Sequence, residues 1–192
     1  NRIFTFTSSL CGFIECSIVS EVDALGKTKW NLELPNTDIA PQSSCIYNDT
    51  LYVSGNYSPG VGITSLHKIS MDGILQNSYF FSDPQKKIER SLIQTLTRIK
   101  EKFIITGQAY IDEKSKGIVI SIDKLLRLDT IIIDPTLENS TIWNSYTGTD
   151  SLLTCFYHQA NKFWPDQVRR IIKYDADFNQ VWSYTSRHLR IK

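Results

Sequence analysis

The chain has 192 residues, enough for one domain with a sizeable core. Its apolar share is 41% and its charged share 21%, the balance of a globular protein and not of a disordered one. Twenty-one Lys and Arg face 20 Asp and Glu, a net charge of +1 that gives no pull towards nucleic acid or an anionic membrane, and no apolar run is long enough to span a bilayer.

In chain order, Ile3 to Thr7 reads as strand from the start, with no initiator Met or leader ahead of Asn1, so the chain is expected to be a processed product or a fragment. A hairpin pattern follows at Glu21 to Trp30, around the turn at Gly26. It returns at Lys68 to Asn77 around Asp72-Gly73, at Ser121 to Thr130, and at Lys173 to Trp182. A second set falls between these: Leu51 to Gly55, Phe103 to Gly107 and Leu152 to Phe156, with Ile3 to Thr7 as the first copy. Short polar turns precede the later three, and further strands precede those turns at Ser43 to Tyr47, Ile93 to Ile99 and Trp143 to Thr147. Pro35, Pro84 and Pro135 end the strand after each of the first three turn motifs, where a residue without an N–H suits a strand exit. One stretch competes: Ile88, Leu92, Ile93, Leu96 and Ile99 have roughly helical spacing, with a short helix near Lys86 to Arg90.

Each period therefore holds four antiparallel strands in about 50 residues, which is the pattern of a β-propeller blade. The expected fold class is all-β, about four such repeats over residues 1–35, 36–84, 85–135 and 136–192, all in one propeller segment. The first repeat starts at its second strand and the last ends near Tyr184, so the reading is an incomplete ring, with a closed four-bladed ring as the alternative. The remaining blades of a parent chain are then the first expected partner.

The motif Asp23-x-x-Gly26-x-x-x-Trp30 resembles the blades of secreted propeller proteins common in Bacteroidota. A later strand in that pattern ends in a small residue and Gly, as at Ser54-Gly55 and Thr106-Gly107. The resemblance implies a secreted or cell-surface location. Three copies depart from the motif: Ser70 and Asn77 replace Asp and Trp, Leu126 and Thr130 replace Gly and Trp, and Phe178 replaces Gly. The chain is also similar to quinoprotein propellers, whose blade motif ends in G-x-x-x-W, but the cofactor-binding residues of that family have no match here.

Candidate sites are sparse. Asp175-x-Asp177-x-Asn179 places hard oxygen ligands at alternate positions, as at the start of a calcium loop, while its register makes it another hairpin turn. Phe163 and Trp164 sit in a loop between two strands and are the best binding candidates, for a protein or a carbohydrate. His67, His158 and His188 are scattered. Cys155 and His158 fall on opposite faces of a strand, so they do not make a nucleophile and base. Pro59-Gly60-Val61-Gly62 lacks the Lys of a phosphate loop. Cys11 and Cys16 are placed to bridge a hairpin, Cys45 and Cys155 read as buried thiols, and no close pair suggests zinc. The inner strands offer Ser43, Ser44, Gln94, Thr95, Thr97, Asn144 and Ser145 to a central channel. The expectation is a non-catalytic binding or scaffold module needing no cofactor, calcium apart. The alternative is part of a propeller enzyme whose reacting residues lie on other blades.

Overall fold

The computed structural model describes residues 2–11, 14–39, 43–57, 63–82, 85, 88–133, 139–159 and 168–186. Among them every regular element is a strand. In chain order these are β1 (Ile3–Cys11), β2 (Ile14–Val22), β3 (Thr28–Pro35), β4 (Thr37–Asp38), β5 (Ser44–Tyr47), β6 (Thr50–Tyr57), β7 (Thr64–Ser70) and β8 (Leu75–Phe81). There follow β9 (Arg90–Ile99), β10 (Lys102–Ile111), β11 (Lys114–Ile122), β12 (Leu128–Ile133), β13 (Ser140–Thr147), β14 (Leu153–Gln159), β15 (Arg169–Tyr174) and β16 (Gln180–Ser186). They form four antiparallel meanders: β1-β2-β3, then β4 and β5 on β6-β7-β8, then β9 to β12, then β13 to β16. These are four propeller blades in an arc. The helical spacing near Ile93 yields to strand, because β9 pairs with β10 along its whole length. Lys86 and Lys87 lie outside the described residues.

The turns explain why the hairpins form where they do. At Asp23, Ser70, Asp123 and Asp175 the backbone N–H donates to a carbonyl four residues on, and the N–H three residues on returns the bond. Each side chain then closes the turn. Oδ1 of Asp23 accepts from the N–H of Leu25 and Lys27, both at 2.9 Å. Asp123 does the same for Leu125 and Arg127. Ser70 Oγ accepts from Ile74 alone, at 3.1 Å. The fourth residue of each turn has positive φ: Gly26 at 79°, Gly73 at 80°, Leu126 at 61° and Phe178 at 63°. Glycine takes that conformation freely, whereas Leu126 and Phe178 hold it against steric cost.

Leu126 keeps its place because it is buried in the cluster between the second and third blades. Burial of a leucine side chain contributes about 1.5–3 kcal/mol, against about 1–2 kcal/mol for the left-handed backbone. Leu126→Gly is therefore expected to lower stability by about 1 kcal/mol despite the relief of strain. A urea denaturation midpoint that rises in this variant would reverse the ranking of the two effects.

The core lies between blades, in three clusters. Phe4, Val19 and Leu34 of the first blade meet Leu51, Val53 and Ile69 of the second. Tyr52 and Leu66 of the second meet Phe103, Ile105 and Ile122 of the third. Ile104 and Val119 of the third meet Leu153, Cys155, Ile172 and Tyr174 of the fourth. The middle strands β6, β7, β10 and β11 thus bury residues against both the preceding and the following blade, as the period of two allows. The fourth blade is offset from its expected register by one residue. Leu153, not Leu152, takes the place of Leu51 and Phe103, since it pairs with Thr147 and Tyr174. The reason is the turn before it: Gly148 to Leu152 form a longer closed loop, where Asn48-Asp49 and Lys100-Glu101 are two-residue turns.

Gly107 lies opposite a bulge in β9, and a Cβ there would run into the carbonyl of Leu92. A Cβ on Gly55, at the same repeat position, would likewise run into the carbonyl of Asp38. The small residue expected at the end of this strand is therefore a contact requirement of the inner strand.

Candidate functional site

The two ends of the arc differ. The end that carries the Asp23, Ser70, Asp123 and Asp175 turns holds only tight connections, two to five residues long. The other end holds the connections of six residues or more, between β6 and β7, β8 and β9, β12 and β13, and β14 and β15, beside the two-residue turns between β1 and β2 and between β10 and β11. Such loops on a rigid scaffold are where a propeller carries its function.

The interior follows the same division. Near the tight turns the blade interfaces are apolar. Towards the loop end they become polar, with side-chain hydrogen bonds at each blade interface. Between the first two blades, Ser17 Oγ donates to the Thr37 carbonyl at 2.7 Å. His67, only 3% exposed, lies 3.0 Å from Ser65 Oγ and 2.9 Å from Ser78 Oγ through its two ring nitrogens. Burial holds this imidazole down to a pKa of about 4, so it is neutral near neutral pH. Between the second and third blades, Asn56 Oδ1 accepts from the Ile93 N–H at 3.0 Å. Between the third and fourth, Thr95, Thr106 and Ser145 form a closed hydroxyl triangle with sides of 2.6, 2.6 and 3.0 Å.

That triangle corrects the expectation for the inner strands. Thr95 and Ser145 do not face a channel but are buried between blades, with Thr97 hydrogen-bonded to Thr147 at 3.2 Å beside them. Asn144 is exposed. The β13 bulge between Ile142 and Asn144 turns Trp143 outward, 62% exposed, with its ring edge-on to His158 at 5.8 Å. Trp143, Phe156, His158, Arg169, Arg170 and Ile171 line a recess of about 470 Å³ at the loop end of the fourth blade. Among the described residues no carboxylate lines it, and the lining is aromatic and cationic.

This recess stands at the root of the β14–β15 hairpin, where the Gln159 N–H donates to the Val168 carbonyl. Phe163 and Trp164, which belong to the same hairpin, lie outside the described residues. Asp175, Asp177 and Asn179 are at the opposite end, in the last tight turn. Oδ1 of Asp175 accepts from the N–H of Asp177 and Asn179, and Oδ2 from Asn179 Nδ2 at 3.1 Å. The Asn179 side chain first, then these backbone N–H groups, hold the Asp175 carboxyl below its usual range. Cys155 and His158 point to opposite faces, and burial pushes the Cys155 thiol far up, away from nucleophilic use. Cys45 is a free, half-buried thiol pushed up to about 12 by burial. Cys16 is disulfide-bonded.

A second recess, of about 490 Å³, lies at the tight-turn end between the first two blades. Its floor is Glu21, 1% exposed, which accepts from Arg2, from Lys29 Nζ at 2.9 Å and from Trp30 Nε1 at 3.0 Å. Arg2 first, then Lys29, hold the Glu21 carboxyl down to about 2. Trp30 Nε1 also donates to the Met71 carbonyl at 3.1 Å, and its ring lies where a Cβ on Gly73 would be. The first blade is thereby fastened onto the turn of the second. This seat was not recognised in the sequence, although Trp30 and Gly73 both stand out in the repeat alignment.

No protein-family model matches the chain, and no curated protein does. Solved structures do. A europium-containing methanol dehydrogenase aligns over 94% of this chain with a TM-score of 0.61 at 11% identity. The quinohemoprotein alcohol dehydrogenase ADHIIG of Pseudomonas putida HK5 aligns over 93%, with a TM-score of 0.59 at 14% identity. The chain spans only 39% and 33% of those two chains. A protein of unknown function from Bacteroides caccae aligns at a TM-score of 0.39, too low to bear on the fold. At these identities the likeness establishes the propeller fold. It also overturns two expectations. Both neighbours are enzymes, against the expected non-catalytic module, and both are named for a metal or for quinone and haem, against the expected absence of a cofactor.

The described residues do not themselves fit such a group. Among them no three His, Cys, Asp or Glu side chains converge as metal ligands. The inner-strand hydroxyls are spent on one another between the blades. No catalytic step is therefore assigned to any of them.

Proposed function

We propose that this chain is an arc of a propeller enzyme of the alcohol-oxidising dehydrogenase kind, with its reacting groups on parts of the ring beyond the described residues. The observation that carries the reading is the alignment of nearly the whole chain with two such dehydrogenases. The division of the arc supports it: tight turns at one end, long connections and polar interfaces at the other. In this role the described residues are structural, stacking blades and holding the loop end in shape.

The arc belongs to a longer ring in this reading, since it spans 39% and 33% of its two neighbours. We place it in a secreted or cell-surface setting. The disulfide at Cys16 supports an oxidising compartment, as does the resemblance of the Asp23 to Trp30 motif to secreted Bacteroidota propellers.

The test is dye-linked oxidation of simple alcohols by the full-length gene product, assayed with and without added quinone and with calcium or a lanthanide. Turnover that depends on both additions is the expected result. A full-length protein that binds neither quinone nor metal and oxidises no alcohol would sink the proposal.

A further inference from the structure

The second blade departs from the repeat at three positions that meet in space. His67 stands opposite Val53. In the third and fourth blades its place is held by Ile120, opposite Ile105, and by Ile172, opposite Cys155. Both isoleucines are buried, so packing alone asks for an apolar side chain here. Ser65, opposite Gly55, stands where the third blade has Ile118, opposite Gly107. Ser78, opposite His67, stands where the third blade has Ile131, opposite Ile120. Three apolar positions of the scaffold are thus Ser, His and Ser in this blade.

The hydrogens of the cluster have one arrangement. Ser65 Oγ donates to the Gly55 carbonyl at 3.1 Å, and Thr37 Oγ1 donates to the Pro35 carbonyl at 3.3 Å. These two hydroxyls lie 3.0 and 3.4 Å from His67 Nε2. With their hydrogens spent on carbonyls, they can only accept there. Nε2 therefore carries the proton of the neutral imidazole, and Nδ1 keeps its lone pair. Ser78 Oγ, 2.9 Å from Nδ1, is the donor to it. A directed chain results, from Ser78 through the imidazole to Ser65 and the Gly55 carbonyl. Nucleophile, base and orienting group stand in this order in an activated hydroxyl.

The chain of bonds starts near the surface. His67, Ser65 and Thr37 are buried, whereas Ser78 is half-buried on β8, the outermost strand of its sheet. Phe80, two residues on and on the same face, is 51% exposed and edge-on to His67 at 6.4 Å. It offers an apolar surface to an incoming group.

We propose that Ser78 is a nucleophile that accepts the acyl group of small esters with apolar acyl chains, with His67 as its base. Ser78 Oγ attacks the ester carbonyl carbon while its hydrogen passes to His67 Nδ1. The Oγ–C bond forms, the bond to the leaving oxygen breaks, and Nδ1 hands the proton to that oxygen, which departs as an alcohol. Ser65 and Thr37 hold Nε2–H and so keep the Nδ1 lone pair on Ser78. The Ser78 N–H donates to Asn77 Oδ1 at 2.8 Å, a local bond that the oxyanion replaces. This chemistry is separate from the alcohol oxidation proposed above and does not rest on it.

The test is to incubate the full-length gene product with p-nitrophenyl butyrate and to quantify butyrylated peptides by mass spectrometry. Ser78 should be labelled at least roughly 100-fold faster than the exposed Ser151, the advantage a positioned base gives. Unfolding in urea should abolish that difference. His67→Gln should slow labelling of Ser78 by a similar factor, and Ser65→Ala by less, at unfolding midpoints that show both variants folded. Ser78 labelled no faster than Ser151 in the folded wild-type protein overturns the proposal without recourse to a variant. Labelling undiminished in a folded His67→Gln protein overturns it as well. Neither result touches the dehydrogenase reading, which the alcohol-oxidation assay decides.

Discussion

Phe103→Ala is expected to lower the stability of this chain by about 3–5 kcal/mol, the largest effect of any single truncation foreseen here. The ring is 2% exposed and lies in the cluster that joins the second and third blades. It packs on Tyr52 with centroids 4.5 Å apart and edge-on to Tyr47 at 6.1 Å. Removing it costs the transfer of the ring, leaves a cavity that rigid strands on both sides do not close, and breaks two aromatic contacts. A chain of this size should lose roughly 10 °C in its unfolding midpoint. The internal control is Ile3, which holds the same repeat position but is 47% exposed. Ile3→Ala in dilute solution should cost well under about 1.5 kcal/mol, since little area leaves water there. Equal losses at the two positions would mean that blade stacking is not what stabilises the arc.

The second large effect is acid sensitivity at His67. Burial holds its pKa down to about 4, against 6.5 for a free imidazole. The unfolded chain therefore binds a proton that the folded chain refuses throughout that window. Stability is complete above about pH 6.5 and falls as the pH drops towards 4, by up to about 3 kcal/mol in all. Below that, His67 protonates in the fold and the slope from this group ends. Glu21 acts in a separate window. Its carboxyl is held down to about 2 by Arg2 and then Lys29, so its contribution is lost between about pH 4.5 and 2. Chemical denaturation at a series of pH values separates the two. His67→Gln keeps hydrogen bonds open to Ser65 and Ser78 while removing the titration, and it should flatten the profile between pH 6.5 and 4 alone. An unchanged slope in that variant would show that the imidazole is not the group responsible.

Both effects come from the division of the blade interfaces. Phe103 sits in the apolar half near the tight turns, where only packing is at stake. His67 sits in the polar half towards the loops, where Ser17, Thr37, Ser65 and Ser78 keep the buried donors and acceptors paired. A polar interface of this kind stabilises less per unit area than an apolar one, but each partner fixes the position of the next. At the loop end of a propeller that property matters more, because the connections there must be held in place for function.

What the sequence determined by itself was local. The fourfold repeat, most of the strands and the four turns led by Asp23, Ser70, Asp123 and Asp175 were legible in it. A turn is decided within five residues, by an Asp or Ser that accepts the N–H groups ahead of it and a residue that takes positive φ. Even Leu126 and Phe178, where glycine was missing, kept the turn, because the same Asp bonds were present. The tertiary structure decided everything that depends on a partner about 50 residues away. It moved the fourth blade by one residue, since the loop from Gly148 to Leu152 is longer than its counterparts. It put Thr95 and Ser145 between blades and not in a channel. It buried His67 and gave Trp30 a glycine to cover. Alternation along a strand says that two faces exist, but which face is buried, and against what, is set by the blade that stacks on it.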